Sequence, residues 1–284
     1  MPRISIVILT FNSIEFIKSC LDSIFNQDYQ DFEIIIVDNG SRDGTSDFIR
    51  KEYPWVILIE NKQNLGACRA RNQGIKESRG EWILTLDCDI VLKKDFLFRL
   101  LNVIKDLSPQ SGMIQPKILN VDRETIYSTG IFLSSIRRFY DMDKGKKDNE
   151  KFNRSRYVFG ACSAAAVYNR QMLEAIKEDT GYFDERFFFL VEDVDLAWRA
   201  QKKGWKALFC PEAVCYHSGN SSNYGKIIRQ YFCFRNRLLL ITKNEKIFGK
   251  IKLIPIFLLY DLPRALFILF NCRRLNLKEV ICPR

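Results

Sequence analysis

The chain has 284 residues, 47% of them apolar, which excludes a disordered protein and allows one large core with an appendage. Its formal charge is +10, yet from Gly225 onward 13 Lys and Arg face 3 Asp and Glu, so residues 1–224 are neutral. A neutral body without an Arg/aromatic recognition module argues against a nucleic-acid binder, and the basic tail reads as a surface-docking element.

The N-terminus, Met1-Pro-Arg-Ile-Ser, lacks the apolar stretch and small-residue cleavage site of a signal peptide and runs straight into a strand, which predicts a cytoplasmic protein. Ile4 to Leu9, Phe32 to Val37, Trp55 to Ile59 and Glu81 to Leu86 are apolar, β-branched runs that predict buried parallel strands. Between them, Ile14, Ile17, Leu21 and Ile24, then Ala67, Ala70 and Ile75, recur at helical spacing. Alternation of this kind predicts a doubly wound α/β sheet, whose ligand sits outside the carboxyl ends of the strands.

Beyond Lys94 the alternation weakens. Met113 to Leu119, Ile131 to Phe139 and Tyr157 to Tyr168 predict strands, with a mobile charged loop from Asp141 to Arg156. A helix over Val191 to Lys203 and a strand over Trp205 to Phe209 precede the tail. The expected division is a catalytic domain over 1–224 and a basic helical region over 225–284. Nine cysteines without a CxxC pair read as buried free thiols, and Cys210, Cys215 and His217 match no zinc spacing.

The residues after each strand are distinctive: Thr10-Phe-Asn12, Asp38-Asn-Gly-Ser-Arg-Asp-Gly-Thr45, Asn61 to Gly66, and Asp87-Cys-Asp89. Asp87 and Asp89 lie two apart at a strand end, so both carboxylates leave the sheet toward the ligand edge, where they suit a hard cation; a solvated turn, or a helix N-cap for Asp89, is the alternative. The loop after Asp38 suits a base or ribose, or is a plain strand-to-helix turn capped by Asp43 or Thr45. Glu192-Asp-Val-Asp195 follows the aromatic run Phe187-Phe-Phe189; apolar surroundings raise a carboxyl's proton affinity, as a general base requires, although acids also favour helix N-termini. His217, the single histidine, precedes a polar loop suited to a metal or phosphate contact, or is structural.

Taken in this order, Val7 to Asn12, Val37 to Thr45, Asn64 to Asn72, Leu86 to Asp89, Gly160 to Arg170, Glu192 to Leu196 and His217 make the chain resemble the family-2 glycosyltransferases, inverting enzymes with the GT-A fold, over Ile4 to Asn244. The resemblance implies a nucleotide-diphosphate sugar as donor, a divalent metal (Mg2+ or Mn2+), and a hydroxyl of a glycan or lipid-linked acceptor. It assigns the nucleoside to Asp38, the ribose or metal region to Asp87, the metal to Asp89 and His217, and the base to Asp193. Thr10, Asn12, Asn64 and Arg71 fall on the donor side, and Glu192, Arg199 and Arg235 are candidates for acceptor or phosphate contact. The nearest likeness is to bacterial rhamnosyltransferases that use dTDP-rhamnose, and UDP-hexose enzymes share the motifs. A single arginine in Val167 to Arg170, and Leu190-Val191 in place of a more aromatic pair, depart from the pattern on the acceptor side. A sugar-phosphate nucleotidyltransferase would need a Gly-rich loop with Arg and Lys where Thr10-Phe-Asn-Ser13 stands, and the intact acidic residues disfavour a noncatalytic binding protein.

Ile251 to Phe270 has the length of a membrane span, but Asp261, Arg264, Pro255 and Pro263 interrupt it, at about 2.5 kcal/mol or more per charge. An amphipathic element lying on the anionic inner face of the membrane is expected, with packing on a partner subunit as the alternative.

Overall fold

The computed structural model describes residues 3–219 and 224–272. The end of the polar loop after His217 and the last twelve residues of the basic tail lie outside the described residues. The N-terminal half runs β1 (Ile4–Thr10), α1 (Ile14–Phe25), β2 (Phe32–Asp38), α2 (Thr45–Glu52), β3 (Ile57–Glu60), α3 (Ala67–Glu77) and β4 (Trp82–Asp87). It continues through β5 (Ile90–Leu92), α4 (Phe96–Lys105) and β6 (Ser111–Asn120). Short strands β7 (Ile126–Ser128), β8 (Ile131–Leu133), β9 (Phe139–Asp141) and β10 (Arg156–Val158) precede β11 (Ala165–Asn169) and α5 (Arg170–Ile176). Then come α6 (Glu192–Lys202), β12 (Lys206–His217), α7 (Lys226–Asn244), α8 (Ile247–Lys252), α9 (Ile254–Ile256), a π-helical turn (Phe257–Asp261) and α10 (Leu262–Cys272).

The main sheet has the order β10-β12-β6-β11-β4-β1-β2-β3, with β5 on β12 and β7 on β6. β1 pairs in parallel with both β2 and β4, so the chain reverses direction across the sheet beside β1. Right-handed crossovers then put α3 on the face opposite α1 and α2, and a crevice opens where the strand order switches. Helix α3 lies close on β1 because Gly74 has no side chain: a Cβ there would meet Val7 Cγ1 at 2.3 Å. The apolar runs supply the core, with Ile4, Ile6, Ile8, Ile35, Ile36, Leu84 and Leu86 all fully buried.

Several elements differ from the sequence expectation for local reasons. Trp55 is 66% exposed and sits edge-on to Phe25 and Tyr53, so the third strand starts at Ile57. Ile131 to Phe139 is not one strand but the hairpin β8–β9, and Tyr157 to Tyr168 splits into β10 and β11 around Gly160 to Ala164. The final strand does not stop at Phe209. It runs on to His217, and Pro211, which cannot donate to a ladder, falls where the register against β6 shifts between Cys210 and Val214. The charged loop expected to be mobile is tied down: buried Lys117 holds Asp148 at 3.0 Å and Asn153 at 2.6 Å, and Arg156 holds Asp143 at 2.7 Å.

The tail is not uniformly an appendage, because α7 is built into the body. Lys243 Nζ enters a pocket of three carboxylates, 2.5 Å from Glu178, 2.8 Å from Asp184 and 2.8 Å from Asp195. These acids could together hold a metal, but the ammonium takes that place. Burial would raise the Asp184 carboxyl, but hydrogen bonds from Arg186 and Lys243, with the lysine's charge, hold it far below the usual aspartate range. Removing one partner from a buried ion cluster costs about 3–5 kcal/mol, so α7 and the catalytic body share stability.

Candidate active site

The carboxyl ends of β1, β2 and β4 converge by register, with Thr10 beside Asp38 and Leu9 beside Asp87. Thr10 Oγ1 donates to Asp38 Oδ2 at 3.0 Å, and the N–H groups of Gly40 and Ser41 donate to Oδ1 at 3.2 and 2.9 Å. Asp38 is thereby buried and shapes the loop that follows it. Asn12, at φ 50°, accepts from the Arg42 N–H at 2.9 Å and donates its own N–H to Ser41 Oγ at 2.8 Å, lacing the first loop to the second. Asn12 supports the rim and lines neither cavity described below.

Asn39, which the sequence reading left without a role, organises the third loop. Its Nδ2 donates to Asn64 Oδ1 at 2.9 Å, and its Oδ1 accepts from the Leu65 N–H at 3.0 Å. Asn64 Nδ2 reaches Tyr224 Oη at 3.2 Å. Gly66 adopts φ +87°, and a Cβ there would strike Phe188 Cδ2 at 2.5 Å, so only glycine lets the aromatic loop close over this edge. The result is a cavity of about 80 Å³ lined by Leu9, Asn39, Asn64, Arg71, Asp87 and Phe189 among others.

A larger cleft of about 390 Å³ adjoins it and shares Arg71, Asp87 and Phe189. Its lining includes Tyr127, Ser163, Glu192, Asp193, Arg229 and Cys233. Asp87 thus faces both cavities. Asp87, Asp89 and His217 bring three ligand atoms within 4.8 Å of one another. His217 arrives from the far end of the chain because β12 pairs antiparallel with β5, placing it opposite Ile90. His217 Nε2 lies 3.2 Å from Asp89 Oδ1, the other Asp89 oxygen accepts from the Gly219 N–H at 2.9 Å, and Tyr127 packs edge-on against the imidazole. Two carboxylates and an imidazole, buried or half-buried at a strand edge, fit a divalent cation of the Mg2+ or Mn2+ type.

Arg71 is buried and forks between Asp87 at 2.8 Å and Glu192 at 2.7 Å. Glu192 therefore acts as a brace between α3 and α6, and its second oxygen is buried without a hydrogen-bond partner among the described residues. Among the described residues, Asp193 makes no ion pair. It accepts N–H bonds from Ser163 at 3.1 Å and from Val194 at 2.9 Å. Burial first, and the neighbouring Glu192 second, push its carboxyl up to about 7, the range of a base working near neutrality.

The loop before α6 is strained, with Phe188, Leu190 and Val191 at φ 64°, 67° and 74°. Fully buried Asn236 of α7 holds it, its amide lying 2.9, 2.8 and 2.6 Å from the carbonyls of Phe187, Phe189 and Leu190. No pattern in the sequence marks Asn236, because its partners are backbone oxygens almost fifty residues away.

Two expected contacts lie elsewhere. Arg199 does not reach the cleft: its guanidinium is buried against Asp195 at 2.8 Å and the carbonyls of Ile176 and Tyr182, both at 2.6 Å, and so ties α6 to the Ile176–Tyr182 segment. Arg235 lies over the Phe232 ring and donates to the Arg186 carbonyl, lining neither cavity. Their positive charge in the sequence suggested phosphate, but the fold gives Arg199 to Asp195 and two backbone carbonyls, and Arg235 to one carbonyl.

The family model for glycosyl transferase family 2 matches residues 5–177. Among curated proteins, the chain is 25% identical over 220 residues to the poly-beta-1,6-N-acetyl-D-glucosamine synthase of Staphylococcus aureus strain COL, covering 76% of this chain and 50% of that protein. It is 41% identical over 110 residues to the poly(ribitol-phosphate) beta-glucosyltransferase of Bacillus spizizenii, covering 37% of this chain and 17% of that one. The chain thus spans half the length of the synthase. Among solved structures, the mannosyltransferase PcManGT from Pyrobaculum calidifontis, in complex with GDP-Man and Mn2+, superposes with a TM-score of 0.61 at 20% identity, covering 97% of this chain and 76% of that one. S. aureus TarS 1-349 gives 0.57 at 18% identity, covering 86% and 66%. With a GT-A sheet, a crevice at its switch point and the family model matching more than half its length, this chain belongs to glycosyl transferase family 2.

Proposed function

We propose that the chain transfers a sugar from a nucleoside-diphosphate donor to a hydroxyl of a cell-surface glycan or lipid-linked acceptor, with inversion at the anomeric carbon. The observation that carries this reading is the position of Asp87: it belongs to the Asp87, Asp89 and His217 cluster and lines both cavities, the larger of which also holds Asp193. Relatives point the same way, since the synthase and the ribitol-phosphate enzyme are named for polymer glycosylation, and neighbouring structures hold UDP, UDP-GlcNAc, or GDP-Man with Mn2+.

In this reading the smaller cavity beside Asn39 and Asn64 receives the nucleoside, and Asp38 shapes its wall. Asp87, Asp89 and His217 would hold the divalent cation, which offsets the charge that builds on the departing diphosphate. Asp193 takes the proton from the acceptor hydroxyl as it attacks. Arg71 keeps Glu192 engaged and Lys144 pairs with Asp141, another acid of this cleft, which supports Asp193 as the base of a single, inverting displacement. The favoured donor is dTDP-rhamnose, with UDP-hexoses next.

A thermal-shift screen of dTDP-rhamnose, UDP-glucose, UDP-GlcNAc and GDP-mannose with Mg2+ or Mn2+ tests this. A true donor at a hundred times its Kd stabilises the protein by about 2.7 kcal/mol, and the product's anomeric coupling should be opposite to the donor's. If the folded protein shifts with none of them, the reading fails.

The same reading places the enzyme peripherally on the inner face of the membrane. No helix among the described residues is long and apolar enough to cross a membrane. Asp261, which interrupts the apolar run, is buried and paired with Arg237, so its charge faces the protein. Around it, Phe248, Ile251, Leu258, Leu259, Leu266, Phe267 and Phe270 are exposed. Lys243 and Arg237 are committed internally, leaving exposed Lys246 and Lys252 among the charges that attract anionic lipid, each worth about 1 kcal/mol and screened by salt. The protein should sediment with anionic vesicles at low salt and release as salt rises, and Leu259→Glu with Phe270→Glu should abolish binding. Equal recovery of wild type and variant with vesicles would overturn the placement.

A further inference from the structure

A third cavity, about 440 Å³, opens beside the catalytic cleft and is lined by Tyr224, Lys226, Arg229, Gln230, Cys233 and Arg264. Arg229 and Cys233 line both spaces, so the two adjoin. Three of its six lining residues are cations and none is an acid. Lys226, Arg229 and Arg264 make no ion pair among the described residues, whereas other basic residues of the same tail, Arg237 and Lys243, are fully paired. Among the described residues, the hydrogen bond of the Arg264 guanidinium is to the hydroxyl of Tyr260, at 3.1 Å. Grouping unpaired cations around a concavity is unfavourable unless an anion completes it, and arginine forks suit phosphate oxygens.

Position adds the second half of the argument. At one end, Arg229 shares its cleft with the base Asp193. At the other, Arg264 belongs to α10, whose outward face carries exposed Leu262, Leu266, Phe267 and Phe270. The cations thus lie between a cleft that holds the base and a helix that carries exposed apolar side chains.

We infer that Lys226, Arg229 and Arg264 form the subsite for the phosphate or diphosphate of a lipid-linked acceptor, with its chain along α10 and its hydroxyl-bearing end at Asp193. This rests on the transferase reading and names its acceptor class. The donor diphosphate would be met separately, through the cation that Asp87, Asp89 and His217 would hold, so the two anions fall at two places. A bilayer headgroup is the competing source of phosphate.

The test uses the full chain in neutral detergent with geranylgeranyl diphosphate, geranylgeraniol and inorganic pyrophosphate as probes, alongside UDP with Mn2+. The diphosphate lipid should bind about tenfold or more tighter than the alcohol, and pyrophosphate should compete weakly. Arg229→Gln with Arg264→Gln should reduce the lipid's affinity to that of the alcohol, while nucleotide affinity stays within about twofold. Arg229→Lys should retain part of the gain, and unchanged melting of each variant shows that the fold is intact. Equal binding of diphosphate and alcohol overturns the inference, as does parallel loss of nucleotide binding, which would give these arginines to the donor. Pyrophosphate binding as tightly as the lipid would make this a free-phosphate site, and displacement by phosphatidylglycerol micelles as effective as by the probe would make it a headgroup site; either result overturns it. Should no nucleotide sugar bind while the diphosphate lipid still does, the transferase reading fails and the subsite stands.

Discussion

Replacing Asp193 with Asn should lower kcat by about 10²–10⁴ while leaving donor affinity nearly unchanged. Among the described residues the carboxylate accepts two backbone N–H bonds and pairs with no side-chain cation, so the amide keeps its shape and loses mainly its capacity to take a proton. Because burial and Glu192 lift the wild-type carboxyl to about 7, it is half ionised there, and kcat/KM should rise with pH through that value as the base sheds its proton. Stability has the opposite sign. A carboxyl raised in the folded state binds more protons than in the unfolded chain between its model value of 3.8 and about 7, so its contribution is present below that window and is lost as pH rises through it. Asp193→Asn should remove the rising limb of activity and flatten the fall in stability. Near-normal turnover at saturating donor and acceptor would remove Asp193 from the role of base.

Stripping divalent metal should silence the enzyme, and restoring Mn2+ or Mg2+ should revive it. Charge stabilisation of a departing diphosphate contributes several kcal/mol, a rate factor on the order of 10³. Asp89→Asn is the matching substitution, because it keeps a side-chain oxygen able to accept from the Gly219 N–H while removing the charge beside His217. Its Mn2+ affinity, read by titration calorimetry, should fall together with activity. Undiminished transfer by protein shown to be free of metal would end the assignment.

The runs Ile4 to Leu9, Phe32 to Val37 and Glu81 to Leu86 carry their own structural assignment, since continuous β-branched stretches bounded by turn residues suit little besides buried parallel strands. The strand-end rule then draws attention to Thr10, Asp38, Asp87 and Asp89 without knowledge of any contact. Likewise, an apolar run broken by two charges and two prolines is visible by inspection.

What local pattern could not supply is pairing at long range. His217 joins Asp89 only because β12 continues through Pro211 past a register shift and lies against β5, and a proline ordinarily argues that a strand has ended. Arg71 and Glu192 are 121 residues apart in sequence, and nothing in either helix announces that one buried guanidinium serves both Glu192 and Asp87. The basic residues show the limit most clearly: sequence gives them all one charge, but the fold pairs Lys243 with three carboxylates and Arg237 with Asp261, sets Arg199 and Arg235 on backbone carbonyls, and leaves Lys226, Arg229 and Arg264 around a cavity. The cost of leaving a buried charge uncompensated forces Lys243, Arg237 and Arg199 onto acids and carbonyls while exposed Lys226 stays solvated, and which acids lie near enough is decided only by the packed chain.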